Sequence, residues 1–203
     1  MKILDLEQGT YEWLQARLGC PSGSGFAKLI TSSGQPSSSA ETYINQLIAE
    51  LITGESTYVQ KTEWMERGNE LEPIARMNYE LETDCEVTEV GFCMPDSGLK
   101  CGVSPDGLVG DEGGIEIKCP APSTHVKYLR KGRLPTEYKA QVMGCLWITE
   151  RKWWDFMSFH PQMPNLLIRV ERDEEYIGQL ERLVTHACQI IEKEVAEIKE
   201  KLL

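Results

Sequence analysis

The 203-residue sequence lacks a long apolar run and lacks a leader-like beginning. No stretch of about 18 or more uncharged apolar residues occurs, which argues against a membrane-spanning helix. The opening MKILDLEQGTYEW does not follow the basic, apolar and small-residue order of a secretory signal peptide. We therefore expect no membrane association and a protein that stays in the cytoplasm.

The sequence contains cysteines but no C-x-x-C pair. An odd number of scattered cysteines without a secretory signal favours reduced, mostly buried thiols over a disulfide framework. The same scatter argues against a zinc or iron–sulfur site. The seven cysteines are Cys20, Cys85, Cys93, Cys101, Cys119, Cys145 and Cys188.

Positive charge is scarce overall and concentrated in one segment. The chain has 21 Lys and Arg against 32 Asp and Glu, a formal net charge of −11, which argues against a broad nucleic-acid-coating surface. A confined basic channel and a solvated loop face both remain open. The clustered basic residues are Lys127, Arg130, Lys131, Arg133, Lys139, Arg151 and Lys152.

Helical and strand-like patterns alternate along the chain. Apolar periodicity predicts helices over ETYINQLIAELITG, which ends at Gly54, over TEYKAQVMGCLWITE, and over the tail from Asp173. The runs EVTEVGFCMPD, LKCGVSPDGLVG, GGIEIKCP, KWWDFMSFHP and NLLIRVER are typical of short strands. In a further helical pattern, Pro73 predicts a kink or a fresh helix start after Glu72. This order predicts one mixed α/β domain over residues 1–203.

The stretch SPDGLVGDEGGIEIKCP, residues 104–120, joins two apolar-rich runs through a glycine-rich acidic turn. Alternate residues of a strand share a face, so Glu116 and Lys118 project together while Ile115 and Ile117 point into the core. The hairpin register can bring Asp106 opposite that face. Paired carboxylates repel one another unless a divalent cation lies between them, and such oxygen-rich sites suit Mg²⁺ or Mn²⁺.

Phosphodiester hydrolysis is the natural chemistry of such a hairpin. A bound metal ion would polarise a phosphate and lower the pKa of a bound water, while the Lys118 ammonium could orient that water or neutralise developing charge. The residues alone also allow a second interpretation, an exposed hairpin with an ordinary cross-strand ion pair.

The order Pro105-Asp106, then Glu116-Ile117-Lys118, resembles the PD-(D/E)xK nuclease pattern. The longer segments WLQARLG, RGNELEP, SPDGLV, IEIKCP, AQVMGCLWIT and WWDFMSF are similar, in order and spacing, to the lambda-exonuclease branch of that superfamily. This branch is also called the YqaJ-like viral recombinases. The resemblance covers nearly the whole chain and implies a restriction-endonuclease-like α/β core, a central mixed β-sheet flanked by helices.

The resemblance also implies a metal site. Glu72, Asp106, Glu116 and the main-chain carbonyl of Ile117 would bind two Mg²⁺ ions, for which Mn²⁺ can substitute. Lys118 would activate the attacking water. Asp106, Glu116 and Lys118 are thus the expected catalytic residues.

A second implied site would hold the terminal 5′-phosphate through Arg17, Ser24, Ser104 and Gln141. The planar guanidinium of an arginine suits a phosphate because it donates two hydrogen bonds at once. The segment PSGSG, residues 21–25, departs from the family's pattern, in which a threonine-containing run of small residues follows the RLG. The sequence does not decide which basic residues of 125–139 approach DNA. The candidates are His125, Lys127, Arg130 and Lys131.

The implied activity is 5′-to-3′ digestion of one strand of linear duplex DNA from a 5′-phosphorylated end. Mononucleotides would be released, and the 3′ single-stranded tail would pass to a phage-type annealing protein. The resemblance further implies a homotrimeric ring in the cytoplasm of a bacterial host, encoded by a phage or prophage. The alternatives are a nuclease of other polarity or substrate, such as a CRISPR-associated exonuclease with an iron–sulfur cluster or a restriction endonuclease, and a non-catalytic DNA-end-binding module.

Overall fold

A computed structural model describes residues 1–56 and 63–201, with side chains in the second range from Glu66 onward. Its helices are α1 (Tyr11–Arg17), α2 (Ala40–Thr53), α3 (Glu63–Thr83), α4 (Pro122–Lys131), α5 (Lys139–Thr149) and α6 (Glu174–Glu200). Two 3₁₀ helices lie at Gly23–Lys28 and Thr136–Tyr138. Its strands are β1 (Lys2–Leu4), β2 (Val87–Thr88), β3 (Phe92–Met94), β4 (Gly107–Val109), β5 (Gly113–Lys118), β6 (Trp153–Ser158) and β7 (Leu166–Glu171).

Five strands form a central mixed sheet in the order β2-β4-β5-β6-β7. The central pair β5 and β6 is parallel, and the other neighbours are antiparallel. Parallel strands need a long crossover, which α4 and α5 supply here. A separate antiparallel pair joins β1 to β3. The predicted fold class, a central mixed sheet flanked by helices, is confirmed.

Helices cover both faces of the central sheet, so the two faces of β5 are both buried. Ile115 and Ile117 pack with Ala75 and Tyr79 of α3 in one apolar cluster. The other face packs against α2, α5 and α6 in a larger cluster. Ile115 and Ile117 point into the core, as the sequence pattern predicts. The alternative of an exposed hairpin is wrong, because β5 is buried from Gly113 to Ile117.

Helix α3 runs through Pro73 without interruption from Glu63 to Thr83. The expectation of a fresh helix start after Glu72 is therefore wrong. Tertiary contacts outweigh the lost backbone donor, because the Tyr79 hydroxyl donates to Asp155 Oδ2 at 2.8 Å. Asp155 also accepts hydrogen bonds from Arg169 Nε at 2.9 Å and Nη2 at 2.8 Å. These hydrogen bonds join α3 to β6 through the buried Asp155, while Arg169 is half exposed.

Helix α2 ends at Gly54, which has a φ of 74°, as the sequence predicts. No helix among residues 1–56 and 63–201 combines the length and the apolar character needed to cross a bilayer.

Helix α5 ends at Glu150, a non-glycine residue in the left-handed region, with a φ of 58° and a ψ of 20°. A residue with a Cβ pays roughly 1–2 kcal/mol in this left-handed region. We therefore expect Glu150→Gly to raise the free energy of unfolding by about 0.5–1 kcal/mol, since glycine's larger loss of backbone entropy offsets part of the gain. Urea unfolding monitored by circular dichroism measures the change.

The control variant is Glu181→Gly, which places a glycine inside α6 and should lower stability by about 1 kcal/mol. A Glu150→Gly protein less stable than the parent would contradict the strain at this helix end.

Candidate active site

The β4–β5 hairpin places Asp106 beside the end of β5. Asp106 lies at a bend immediately before β4, and the ladder between the two strands stops at the Gly107–Ile115 pair. The last residues of β5 therefore extend beyond the partner strand. The Asp106 carboxylate takes the vacant ladder position, because its Oδ2 accepts the Ile117 N–H at 2.6 Å.

The carbonyl of Ile117 faces the same side as Asp106. Lys118 O accepts the Phe159 N–H at 2.8 Å on the β6 side. Carbonyls of successive strand residues point to opposite edges, so the preceding carbonyl, that of Ile117, points to the Asp106 edge. Among the described strands none pairs with it there, because β4 begins only at Gly107.

Glu116 is fully buried on the face of β5 that meets α5. Its Oε1 accepts hydrogen bonds from Gln141 Nε2 of α5, at 2.7 Å, and from the Lys118 ammonium. Its Oε2 is buried and has no hydrogen-bond partner among the described protein atoms. A buried carboxylate oxygen without a donor is costly, so this position favours an additional cation.

Glu72 of α3 completes the acidic group. Its side chain is about one-third exposed, and Oε1 accepts from Arg76 Nη2 at 3.0 Å. Arg76 also pairs with Glu89 at 2.5 Å. The sequence analysis missed Arg76, although its position four residues after Glu72 on a helix is a usable signal for an ion pair.

Burial and repulsion from neighbouring carboxylates raise the pKa values of Glu72 and Glu116. Burial, then the charge of Asp106, raises the pKa of Glu116 to about 8 and that of Glu72 to about 7. Burial lowers the pKa of Lys118, but Glu116 and Asp106 together outweigh it and leave that pKa above its ordinary value. Lys118 therefore stays a charged ammonium at neutral pH.

These groups fit a divalent cation by chemistry. The carboxylates of Glu72, Asp106 and Glu116, the last with its Oε2 lacking a described donor, and the main-chain carbonyl of Ile117 form an all-oxygen donor set of the kind that Mg²⁺ prefers. Within the described part of the chain, no three such side chains already stand in metal-binding arrangement. Internal donors hold the carboxylates instead, namely Arg76, the Ile117 N–H and the Lys118–Gln141 pair.

Arg17 and Ser24 line a common cavity of about 200 Å³. The Arg17 guanidinium donates through Nη2 to Ser22 Oγ at 3.2 Å and stacks over the Trp13 ring at 3.9 Å. Burial lowers the pKa of Arg17. Lys28, on the other side of the loop, adds a second cation to the cavity wall.

Ser104 and Gln141 do not line this cavity. Ser104 Oγ accepts from Trp13 Nε1 at 3.1 Å, so Trp13 bridges Arg17 and Ser104. Gln141 instead holds Glu116, as described above. The sequence analysis missed Trp13, although it begins the W…RLG segment.

The loop at residues 21–25 is tied to the segment that precedes Asp106. Gly102 N–H donates to Pro21 O and Gly23 N–H donates to Gly102 O, both at 3.1 Å. The PSGSG loop is thus held by main-chain pairing to the strand that leads into the hairpin.

The basic residues near α4 divide into two groups. His125 is fully buried, with Nδ1 2.8 Å from Ser158 Oγ and Nε2 3.0 Å from Pro164 O, so it is a packing residue. Lys127, Arg130 and Lys131 are exposed on the outer face of α4.

Comparison with known proteins identifies the class. Residues 12–152 match the YqaJ-like viral recombinase domain. LHK-Exo, an alkaline exonuclease from Laribacter hongkongensis, is 36% identical with a TM-score of 0.87, over 95% of this chain and 98% of that one. Its complex with dAMP gives a TM-score of 0.86 over the same shares of both chains. A phage-related exonuclease from Haemophilus somnus 129PT, 16% identical with a TM-score of 0.68 over 88% and 96% of the chains, shares the fold.

A shorter match is ExoD of Escherichia coli (strain K12), which is 26% identical over 68 residues, 32% of this chain and 78% of that protein. The fold and these relatives define a PD-(D/E)xK nuclease that acts as a DNA exonuclease. More particularly, the chain belongs to the YqaJ-like viral recombinase family. The family resemblance drawn from the sequence is confirmed, and nucleases of this family generally use a divalent metal.

Protons compete with a metal ion for Glu72 and Glu116, whose pKa values are raised. Carboxyl groups with folded-state pKa values above the unfolded ones stabilise the fold at low pH and lose that contribution between about pH 4.5 and pH 8. We expect Mg²⁺ to raise Tm more at about pH 8.5 than at about pH 6, because both groups are ionised at the higher pH. Thermal unfolding in Mg²⁺ or EDTA tests this.

Asp106→Asn, which removes one donor charge, should abolish most of the Mg²⁺-dependent rise in Tm. An equal rise at both pH values, or a full rise in the Asp106→Asn protein, would exclude these carboxylates as the ligands.

Proposed function

We propose that the protein is a Mg²⁺-dependent 5′-to-3′ exonuclease that digests one strand of linear double-stranded DNA from a 5′-phosphorylated end. It releases mononucleotides and leaves a 3′ single-stranded tail for recombination by strand annealing. The observation that carries the proposal is the buried Glu116 carboxylate, held through Oε1 and open at Oε2, beside Asp106 and Lys118. In this proposal residues 1–203 act as a single nuclease domain.

The metal site of the proposal uses Glu72, Asp106, Glu116 and the Ile117 carbonyl as ligands, with two Mg²⁺ ions or Mn²⁺ in their place. Bound there, the metal would polarise the scissile phosphate and lower the pKa of the attacking water. Arg76 pairs with Oε1 of Glu72, so Oε2 is the oxygen that we assign to the metal.

Lys118 acts in this reaction as a donor. Its pKa is raised by the neighbouring carboxylates, so the ammonium keeps its proton and can hold the attacking water or the developing negative charge. Gln141 keeps the Glu116 carboxylate in place through its 2.7 Å hydrogen bond. Glu116 therefore has one oxygen fixed by the protein and one free for the metal.

The polarity follows from the proposed pocket for a 5′-phosphate. Arg17 and Ser24 line a cavity with a second cation, Lys28. Ser104 and Gln141 are proposed to contact the phosphate from the hairpin side, outside the cavity wall itself: Ser104 is joined to the Arg17 side through Trp13, and the Gln141 side chain lies near Gly23. LHK-Exo has been solved with dAMP, which supports a mononucleotide product for this relative as well.

Lys127, Arg130 and Lys131 form the proposed path for the duplex, on a helix that begins four residues after the catalytic lysine. Phosphates neutralised by such cations give sequence-independent, salt-sensitive binding. The acidic remainder of the surface then limits binding to that path.

The family resemblance also supports a homo-oligomer, a ring of three, that works with a phage-type single-strand annealing protein in the cytoplasm of a bacterial host. Helix α3 shows surface that a protein contact would bury: Ile74, Met77 and Leu81 are 44%, 54% and 78% exposed on one stripe. This stripe lies on the helix face opposite Ala75 and Tyr79, which pack on the sheet.

Lys118→Ala should reduce the digestion rate of linear duplex by roughly 10²–10⁴-fold, because a charged donor is lost at the reacting phosphate. Acid-soluble nucleotide release in Mg²⁺ measures the rate. The matched control is Lys152→Ala, since Lys152 lies just before β6 and pairs in solvent with Glu112 of the hairpin turn, at the end away from Asp106. Near-normal digestion by the Lys118→Ala protein would disprove the assignment.

Arg17→Ala should remove the preference for a 5′-phosphate over a 5′-hydroxyl end, because the bidentate donor is lost. A time course on linear duplex labelled at one 5′ end, with both end types and with Mg²⁺ or EDTA, measures polarity and preference together. The control is Arg182→Ala, at an exposed position of α6. Release from the 3′ side, or cleavage of closed circular DNA, would refute the proposed polarity or exonuclease mode.

A further inference from the structure

We propose that Cys101 and Cys188 form an oxidation-sensitive dithiol site, in which hydrogen peroxide or a related hydroperoxide converts the two thiols into an intramolecular disulfide. The site lies between α6 and the segment that leads into the catalytic hairpin. It shares no residue with the proposed metal ligands, its cavity adjoins the proposed phosphate cavity through Leu18 and Cys20, and it does not rest on the proposed function.

The two thiols are far apart in the chain but adjacent in the fold. Cys188 Sγ donates to Lys100 O at 3.5 Å, and that carbonyl belongs to the peptide bond that enters Cys101. The two thiols are also close enough for each to shift the pKa of the other. Cys101 is fully buried in the main apolar cluster, and Cys188 packs at its margin. This proximity is the first requirement for a disulfide.

An oxidant can reach only one of the two thiols. Cys188 lines a cavity of about 370 Å³ between α6 and the segments at residues 18–21 and 98–100, together with Lys100 and Lys199. Cys101 does not line it. Small polar molecules therefore meet Cys188 first, and Cys101 is positioned behind it.

The protonation pattern agrees with this order of access. The neighbouring Cys101 thiol lowers the pKa of Cys188 despite burial. The neighbouring Cys188 thiol, followed by burial, raises the pKa of Cys101 well above its ordinary value. The accessible thiol is therefore the better nucleophile, since the thiolate is the reactive form.

The chemistry balances in two steps. The Cys188 thiolate attacks one peroxide oxygen, so an S–O bond forms, the O–O bond breaks, and water leaves with the thiol proton. The Cys101 sulfur then attacks the sulfenic acid of Cys188, so an S–S bond forms, the S–O bond breaks, and a second water leaves. Two thiols are oxidised by two electrons, and the peroxide is reduced to water.

The cross-link would join α6 to the segment that anchors the 21–25 loop. Gly102, next to Cys101, makes the main-chain hydrogen bonds to Pro21 and Gly23. A bridge across such a long stretch of chain restricts the unfolded state, so the oxidised protein should be more resistant to heat.

The full-length reduced protein tests this directly. It is treated with hydrogen peroxide, the remaining thiols are alkylated, and the unreduced digest is analysed by mass spectrometry. The expected result is a linked peptide pair containing Cys101 and Cys188, which dithiothreitol separates. On non-reducing electrophoresis the product should run as a single chain, and Tm should rise until dithiothreitol is added.

Three variants sharpen the test. Cys20→Ser, in the wall of the same cavity, should keep the linked pair, whereas Cys188→Ser should lose it. In Cys101→Ser the sulfenic acid of Cys188 should persist and react with dimedone. Alkylation of both thiols in the oxidised parent protein, or a link from Cys188 to Cys20 or to another chain, would overturn the proposal even if a variant failed to fold.

Discussion

The architecture depends on the burial of one carboxylate, that of Glu116. A charge in this position is costly unless its oxygens are satisfied. Strand β5 lies between β4 and β6, and both its faces are covered by helices, so Glu116 cannot turn away from the site. Lys118 and Gln141 satisfy one oxygen, and the other is available for a cation.

The same constraint explains why the carboxylates are paired internally. Carboxyl groups held close together in a buried site repel one another, so each needs a donor or a cation nearby. Arg76 serves Glu72, the Ile117 N–H serves Asp106, and Lys118 serves Glu116. In the proposed metal site a cation would take over part of this role, while Lys118 and Gln141 would keep Glu116 Oε1 in place. Fold stability and the proposed metal binding would therefore depend on the same carboxylates.

Prediction from the sequence succeeded where a feature depends only on neighbouring residues. Period-two alternation gave the directions of Ile115 and Ile117, and a glycine stop gave the end of α2. The fresh helix start expected after Glu72 was wrong, since α3 is continuous through Pro73 and its contacts to the sheet, such as Tyr79 to Asp155, have no local signature in the sequence. The positions of side chains around the carboxylates were equally hidden, since they depend on how α3 and α5 meet the sheet.

Backbone pairing sets the relation between the two parts of the proposed reaction. Gly102 is bonded through its main chain to Pro21 and Gly23, and the hairpin begins a few residues later at Asp106. Main-chain hydrogen bonds hold two segments more rigidly than side-chain contacts do. The distance from the loop at residues 21–25 to the carboxylates is therefore set by the backbone. In the proposed exonuclease, pocket side chains such as Arg17 would therefore govern how firmly an end is held. The spacing between the held phosphate and the cleaved bond, and hence the length of the product, would be fixed by the backbone.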